Sequence, residues 1–118
     1  MTAGVRHLYA HLPFCASRCG YCAFVVETGA LGRRDAYAGA LLAELRLEEG
    51  RLGALETAYL GGGTPTLMRR RRLERLMETI RPRLAPGAEV SVEANPETVD
   101  GRALRALRAM GVTRLSLG

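Results

Sequence analysis

The sequence predicts an α/β fold of parallel strands alternating with helices, and three observations carry that expectation. Short alternating or apolar runs (His7 to Leu12, Thr57 to Leu60, Glu89 to Glu93, Val112 to Leu117) are separated by segments whose apolar residues recur at helical spacing. Strand and helix then follow one another in strict alternation, which calls for parallel pairing through right-handed crossovers. Lastly, the three stretches richest in chemistry-bearing residues each follow directly on a strand, and ligands of parallel α/β proteins gather outside the carboxyl ends of their strands.

The first strand sets Leu8, Ala10 and Leu12 on one side and His7, Tyr9 and His11 on the other, and Pro13 ends it. Two histidines on one strand face more commonly pack or hydrogen-bond than ligate iron. Cys15, Cys19 and Cys22 follow at once and are all the cysteine in the chain. A disulfide framework wants an even count spread along the chain, whereas three thiols so close together can converge on one ion or cluster. Zinc needs a fourth ligand to close its tetrahedron, and a [4Fe-4S] cube needs four as well, so the triad leaves one metal corner free for something other than protein thiol. The plainer alternatives are a structural zinc site completed by a histidine, and three buried cysteines that bind nothing.

Arg34 to Gly50 reads as an amphipathic helix, with Tyr37, Leu41, Leu42 and Leu45 apolar, Asp35 near its start and Gly50 as a stop. The second strand, Thr57 to Leu60, runs into Gly61, Gly62, Gly63, Thr64, Pro65 and Thr66. Backbone without side chains can lie against a ligand and offer its N–H and C=O groups directly, although a glycine run alone is more often a plain turn. A second helix shows Leu73, Leu76, Met77 and Ile80 at helical spacing. Arg69 to Arg72 crowd its amino end, where the helix dipole prefers carboxylates, and this cluster reads as a solvated face more readily than as an anion or partner contact.

The third strand, Glu89 to Glu93, turns through Ala94, Asn95 and Pro96 into a helix carrying Leu104, Leu107 and Met110, with Gly111 as a stop before the fourth strand. Glu93 thus stands at the end of its strand, as the cysteines and the glycines do. In isolation a glutamate is usually a surface residue, and its position is what singles it out.

Composition narrows the function classes. The chain has 118 residues, 47% of them hydrophobic, and no apolar run long enough to cross a membrane. Met1 to Val5 is too short and polar for a signal peptide, and clustered free thiols belong in a reducing compartment, so a cytoplasmic protein is expected. The formal charge is +5 and all 17 basic residues are arginine, but aromatics are only 5% and the arginines are dispersed apart from the cluster at 69–72, which argues against a nucleic-acid partner.

The cysteine spacing, with Tyr21 directly before the last cysteine, resembles the signature of the radical S-adenosylmethionine (radical SAM) superfamily. The wider run YAHLPFCASRCGYCAF, with GGGTPT and EANP further on, resembles the branch holding the oxygen-independent coproporphyrinogen III dehydrogenases and the HemW heme chaperones. The resemblance implies a partial (β/α)6 TIM-like barrel, of which residues 1–118 would be the amino-terminal part, with the rest of the barrel and a carboxyl-terminal domain lying beyond. Such a piece would expose a strand edge and a sheet face and is expected to be marginal or aggregation-prone alone. It implies that Cys15, Cys19 and Cys22 hold three irons of a [4Fe-4S] cluster whose fourth iron is chelated by SAM. By position, Gly62, Gly63 and Thr64 would border the methionyl amino group, Tyr9 its methionyl and sulfonium end, Tyr21 the adenine and Glu93 the ribose. The chemistry implied is reductive cleavage of SAM to a 5′-deoxyadenosyl radical, with a flavodoxin or ferredoxin as electron donor. Heme or a porphyrinogen would be the second ligand, and a heme-accepting apo-protein a partner of the chaperone form. One position separates the two relatives: the dehydrogenase carries a further cysteine two places after the third, as CxC, where this chain has Ala23 and Phe24, which favours the HemW type.

Overall fold

The computed structural model describes residues 4–15, 27–28, 33–63 and 65–117. The main sheet is built from β1 (Val5–Leu12), β4 (Leu52–Gly62), β5 (Leu84–Ala94) and β6 (Arg114–Leu117), in the order β1-β4-β5-β6 with every pair parallel. Between them run α1 (Arg34–Glu48), α2 (Arg70–Ile80) and α3 (Gly101–Ala109). Two further short strands, β2 (Phe14–Cys15) and β3 (Glu27–Thr28), pair in parallel just past β1. The main strands add in one direction without a reversal, so right-handed crossovers set all three helices on the same face of the sheet. That is the arrangement of a barrel wall rather than of a doubly wound sheet.

Alternation along the strands decides what lies under the helices. Ala10, Leu12, Ala58, Leu60, Val90 and Val92 point to that side and are buried. Against them α2 presents Leu73, Leu76, Met77 and Ile80, an apolar stripe repeating every three or four residues, and α3 adds Leu107. Helix α1 seals the β1 end more loosely: Leu45 is buried, while Tyr37, Ala38 and Leu41 are only partly covered. Each fully buried leucine contributes about 1.5–3 kcal/mol, which makes this seam the main source of stability.

Cys15, Gly61 to Gly63 and Glu93 stand at or just past the ends of β1, β4 and β5 as expected, but all four main strands are bounded differently from the sequence expectation, β1 starting at Val5 instead of His7. β4 starts at Leu52 and runs through Gly62, because the ladder to β1 continues as His11↔Gly61 and Leu12↔Gly62 and needs only backbone groups. β5 begins at Leu84, ahead of the alternating stretch, across a shift of register between Leu55↔Leu84 and Thr57↔Glu89 that takes up Pro86 and Gly87. β6 starts at Arg114 rather than Val112, since the Val112 N–H donates to Leu107 O at 3.0 Å, tying that residue to the end of α3. The arginine cluster also gains a partner: Arg69 Nε lies 3.0 Å from Asp35 Oδ2 and Arg72 Nε lies 3.7 Å from Asp35 Oδ1. Two of the four arginines therefore tie the start of α2 to the first turn of α1, while Arg70 and Arg71 stay exposed.

Helix α3 starts at a capping carboxylate, Asp100 Oδ1 accepting the Ala103 N–H at 2.8 Å. That bond lowers the Asp100 pKa from its usual 3.8 against an opposing effect of desolvation, and the Arg102 charge acts in the same direction as the bond. A depressed native value means the cap stabilises fully above the unfolded value and loses its contribution as pH falls through the native one. Asp100→Asn should therefore keep most of the melting temperature at pH 7 yet remove the part of the acid-induced decline that Asp100 causes. Asp100→Ala should lower the melting temperature already at pH 7, and equal melting curves for all three proteins would refute the cap.

Candidate functional site

The sheet face away from the helices is polar. In register, β1, β4, β5 and β6 place Tyr9, Tyr59, Ser91 and Arg114 in one row, and Glu93 and Ser116 stand in the next row toward the carboxyl ends. Period-two alternation puts His7, Tyr9 and His11 on this face with Thr57, Tyr59 and Gly61, as the first strand's pattern predicts. Nothing about such a row suits a dry barrel core. Tyr9 is 54% exposed, with its ring stacked on Tyr59 at a centroid separation of 5.7 Å and an interplanar angle of 12°. His7 Nδ1 lies 2.9 Å from Thr57 Oγ1, and Tyr9 Oη lies 3.4 Å from His11 Nδ1.

Glu93 is the centre of this face. Its Oε1 accepts the Gly62 N–H at 2.8 Å, and its Oε2 accepts the Tyr59 hydroxyl at 2.9 Å. A carboxylate offers about four acceptor positions, so both oxygens keep lone pairs for a further donor. The glycines are there to permit this contact. A Cβ on Gly61 would stand 2.6 Å from Glu93 Oε1 and 2.7 Å from Tyr59 Cε1. At Gly62 the backbone takes φ +109°, where side-chain-bearing residues rarely go, and a Cβ would stand 2.5 Å from the His11 ring. The next residue locks the junction: the Gly63 N–H donates to Leu12 O at 2.8 Å, binding the glycine turn to the end of β1. From the helix side the Tyr37 hydroxyl donates to His11 O at 2.6 Å.

Electrostatics follow from crowding a carboxylate among phenols. Burial pushes the Tyr59 hydroxyl above its ordinary pKa of 10.0, and donation to Glu93 pushes it further, because the phenol must keep its proton to donate. Tyr9 is raised for related reasons, burial first and the Glu93 charge second.

The structure thus brings together Tyr9, Gly62 and Glu93 and sets Gly63 beside them. Tyr21, Cys19, Cys22 and Thr64 lie outside the described residues, and of Cys15 the structure gives the backbone, in β2. Among the described residues no group of three or more His, Cys, Asp or Glu could hold a metal ion. No described helix is long and apolar enough to cross a membrane. Tyr59 was missed by sequence reasoning, which read it only as part of an apolar strand. Its two-residue offset from Gly61 puts it on the same sheet face as that glycine, and this was the available signal.

The family model described as the radical SAM superfamily matches residues 9–118. The chain belongs to the radical SAM superfamily. Membership implies a [4Fe-4S] cluster and SAM as cofactors. The heme chaperone HemW of Mycobacterium tuberculosis is 48% identical over 94% of this chain, and HemW of Bacillus subtilis is 36% identical over 97%. An oxygen-independent coproporphyrinogen III oxidase of Bradyrhizobium diazoefficiens is 37% identical over 94%. Among solved structures, coproporphyrinogen III oxidase (HemN) from Escherichia coli, described as a radical SAM enzyme, superposes with a TM-score of 0.86 at 31% identity, covering 99% of this chain and 28% of that one. The chain spans about 30% of the length of the curated HemW relatives. The α/β wall of four parallel strands is therefore part of the radical SAM domain fold.

For the implied cofactor the donor chemistry fits. Bare glycine backbone stands at a strand end beside a carboxylate with unused lone pairs, as a ligand with an amino acid end and a ribose would need.

Proposed function

We propose that this chain is the amino-terminal part of the radical SAM core of a HemW-type heme chaperone, a cytoplasmic protein that binds a [4Fe-4S] cluster and SAM and delivers heme to an apo-protein. The observation that carries the cofactor reading is the Glu93 carboxylate held between the Gly62 N–H and the Tyr59 hydroxyl at the carboxyl ends of the parallel strands. Cys15, Cys19 and Cys22 hold the cluster. SAM lies along Gly62, Gly63 and Thr64, with Tyr9 near its sulfonium end, Tyr21 beside the adenine and Glu93 on the ribose. Together the two cofactors supply one-electron reductive chemistry, with electrons drawn from a flavodoxin or ferredoxin. The chain's own residues bind, orient and exclude water: Glu93 accepts from hydroxyls, the glycine backbone meets the amino acid end, and Tyr9 shields the face.

The chaperone reading is favoured by the 48% identity to a HemW and by Phe24 standing where the dehydrogenases carry their extra cysteine. The second reading, a coproporphyrinogen III oxidase, is kept by the 37% identity to one such enzyme and by the fold shared with HemN. The complete protein, reconstituted without oxygen, can be offered heme and, separately, coproporphyrinogen III with SAM and a reductant. Stable heme uptake with no protoporphyrinogen formed is expected. Turnover of coproporphyrinogen would move the assignment to the enzyme.

A further inference from the structure

Tyr59 occupies a place on the polar face that simple strand packing does not require. Its hydroxyl reaches toward the carboxyl end of the sheet to Glu93 Oε2 at 2.9 Å, while Glu93 Oε1 is held from the other side by the Gly62 N–H at 2.8 Å. A glutamate side chain has three free torsions, and two donors from different directions on its two oxygens leave it a single orientation. The Tyr59 ring is in turn clamped by the Tyr9 ring stacked over it. Space for the pair comes from Gly61, whose Cβ would stand within 2.7 Å of both Tyr59 Cε1 and Glu93 Oε1.

We infer that Tyr59 is a positioning residue for the SAM site, acting through Glu93: it holds the carboxylate so that its remaining lone pairs face the nucleoside hydroxyls. The inference rests on the proposed ribose role of Glu93. It gives a reason for Gly61 as well, which makes room for the Tyr59–Glu93 contact and need not touch the ligand.

A double-mutant cycle separates this role from plain packing. SAM dissociation constants are measured by isothermal titration on the cluster-loaded complete protein as wild type, Tyr59→Phe, Glu93→Ala and the double variant, with iron content determined for each. Tyr59→Phe keeps the ring and its stack on Tyr9, so the fold and the iron content should hold, and affinity should fall on the order of tenfold through loss of a hydrogen bond to a charged group. In the Glu93→Ala background the same substitution should change affinity by less than about twofold, because the group it acts through is gone. Wild-type affinity in Tyr59→Phe overturns the inference, and so does an equal loss in both backgrounds, which would mean direct contact or general support. Wild-type affinity in Glu93→Ala removes the ribose reading and the inference with it, whereas a loss in Glu93→Ala alone leaves the ribose reading standing without Tyr59.

Discussion

Replacing Cys19 with alanine should leave the complete protein, after anaerobic reconstitution, with iron and sulfide near background and without the broad absorption of an iron–sulfur cluster. Cys15, Cys19 and Cys22 are all the cysteine in residues 1–118, so this part of the protein holds no thiolate in reserve. A [4Fe-4S] cube held by three protein sulfurs already lacks one, and removal of another leaves two ligands for four irons. The same loss is expected for Cys15→Ala and Cys22→Ala, because each would hold a different iron. Wild-type protein should reconstitute to about four irons and give an EPR signal on reduction. A colourless wild-type protein with one tightly bound zinc would instead establish the structural metal site that the cysteine spacing alone leaves open. Iron retained by any single alanine variant would show that the triad does not act as one ligand set.

The fold was readable wherever the information was periodic. Alternation on β1 and β5 and the stripe Leu73, Leu76, Met77, Ile80 on α2 each fix a buried face from neighbours in sequence, and the structure buries those residues, Leu8 at the start of β1 only in part. What escaped depends on partners distant in sequence. β4 continues through Gly61 and Gly62 because β1 lies alongside, and a glycine pair without side chains shows no pattern from which to predict a strand. The start of β5 is hidden by Pro86 and Gly87, residues that read as a turn and are accommodated by the register shift. Arg69 and Arg72 look unpaired at a helix amino end until α1 brings Asp35 to them, an exposed pairing worth no more than about 1 kcal/mol.

The site divides the same way. Glu93 and the glycines were recognisable because resemblance and strand-end position agreed on them, whereas the glutamate's geometry was not, since both donors come from β4. Tyr59 had no motif to announce it and becomes visible only when Tyr9, Tyr59 and Glu93 share one sheet face.

Gly61→Ala and Gly62→Ala, adjacent and chemically identical substitutions, should fail differently. At Gly62 the backbone φ of +109° is open to glycine and strained for alanine, a cost on the order of 1–3 kcal/mol before any contact is counted. The new methyl would also stand 2.5 Å from the His11 ring, which Tyr9 and the Tyr37 contact to the His11 carbonyl border. Relief requires moving either the ring or the turn, and the turn is held to β1 by the Gly63 N–H to Leu12 O bond. Gly62→Ala should therefore lower the melting temperature of the complete protein by several degrees and weaken SAM binding together, since the Gly62 N–H that orients Glu93 moves with the backbone. Gly61 is free of that conformational demand, having no positive φ. Its methyl would meet the Glu93 carboxylate, the far end of a flexible side chain, along with the Tyr59 ring edge. The glutamate can swing away at small cost to the fold, but only by leaving its two donors. Gly61→Ala should then melt within a degree or two of wild type while losing SAM affinity to about the extent of Glu93→Ala. Thermal unfolding beside isothermal titration on the two variants reads both quantities, and a Gly61→Ala protein that binds SAM as tightly as wild type would show that the Glu93 contact is not what the glycine is there to protect.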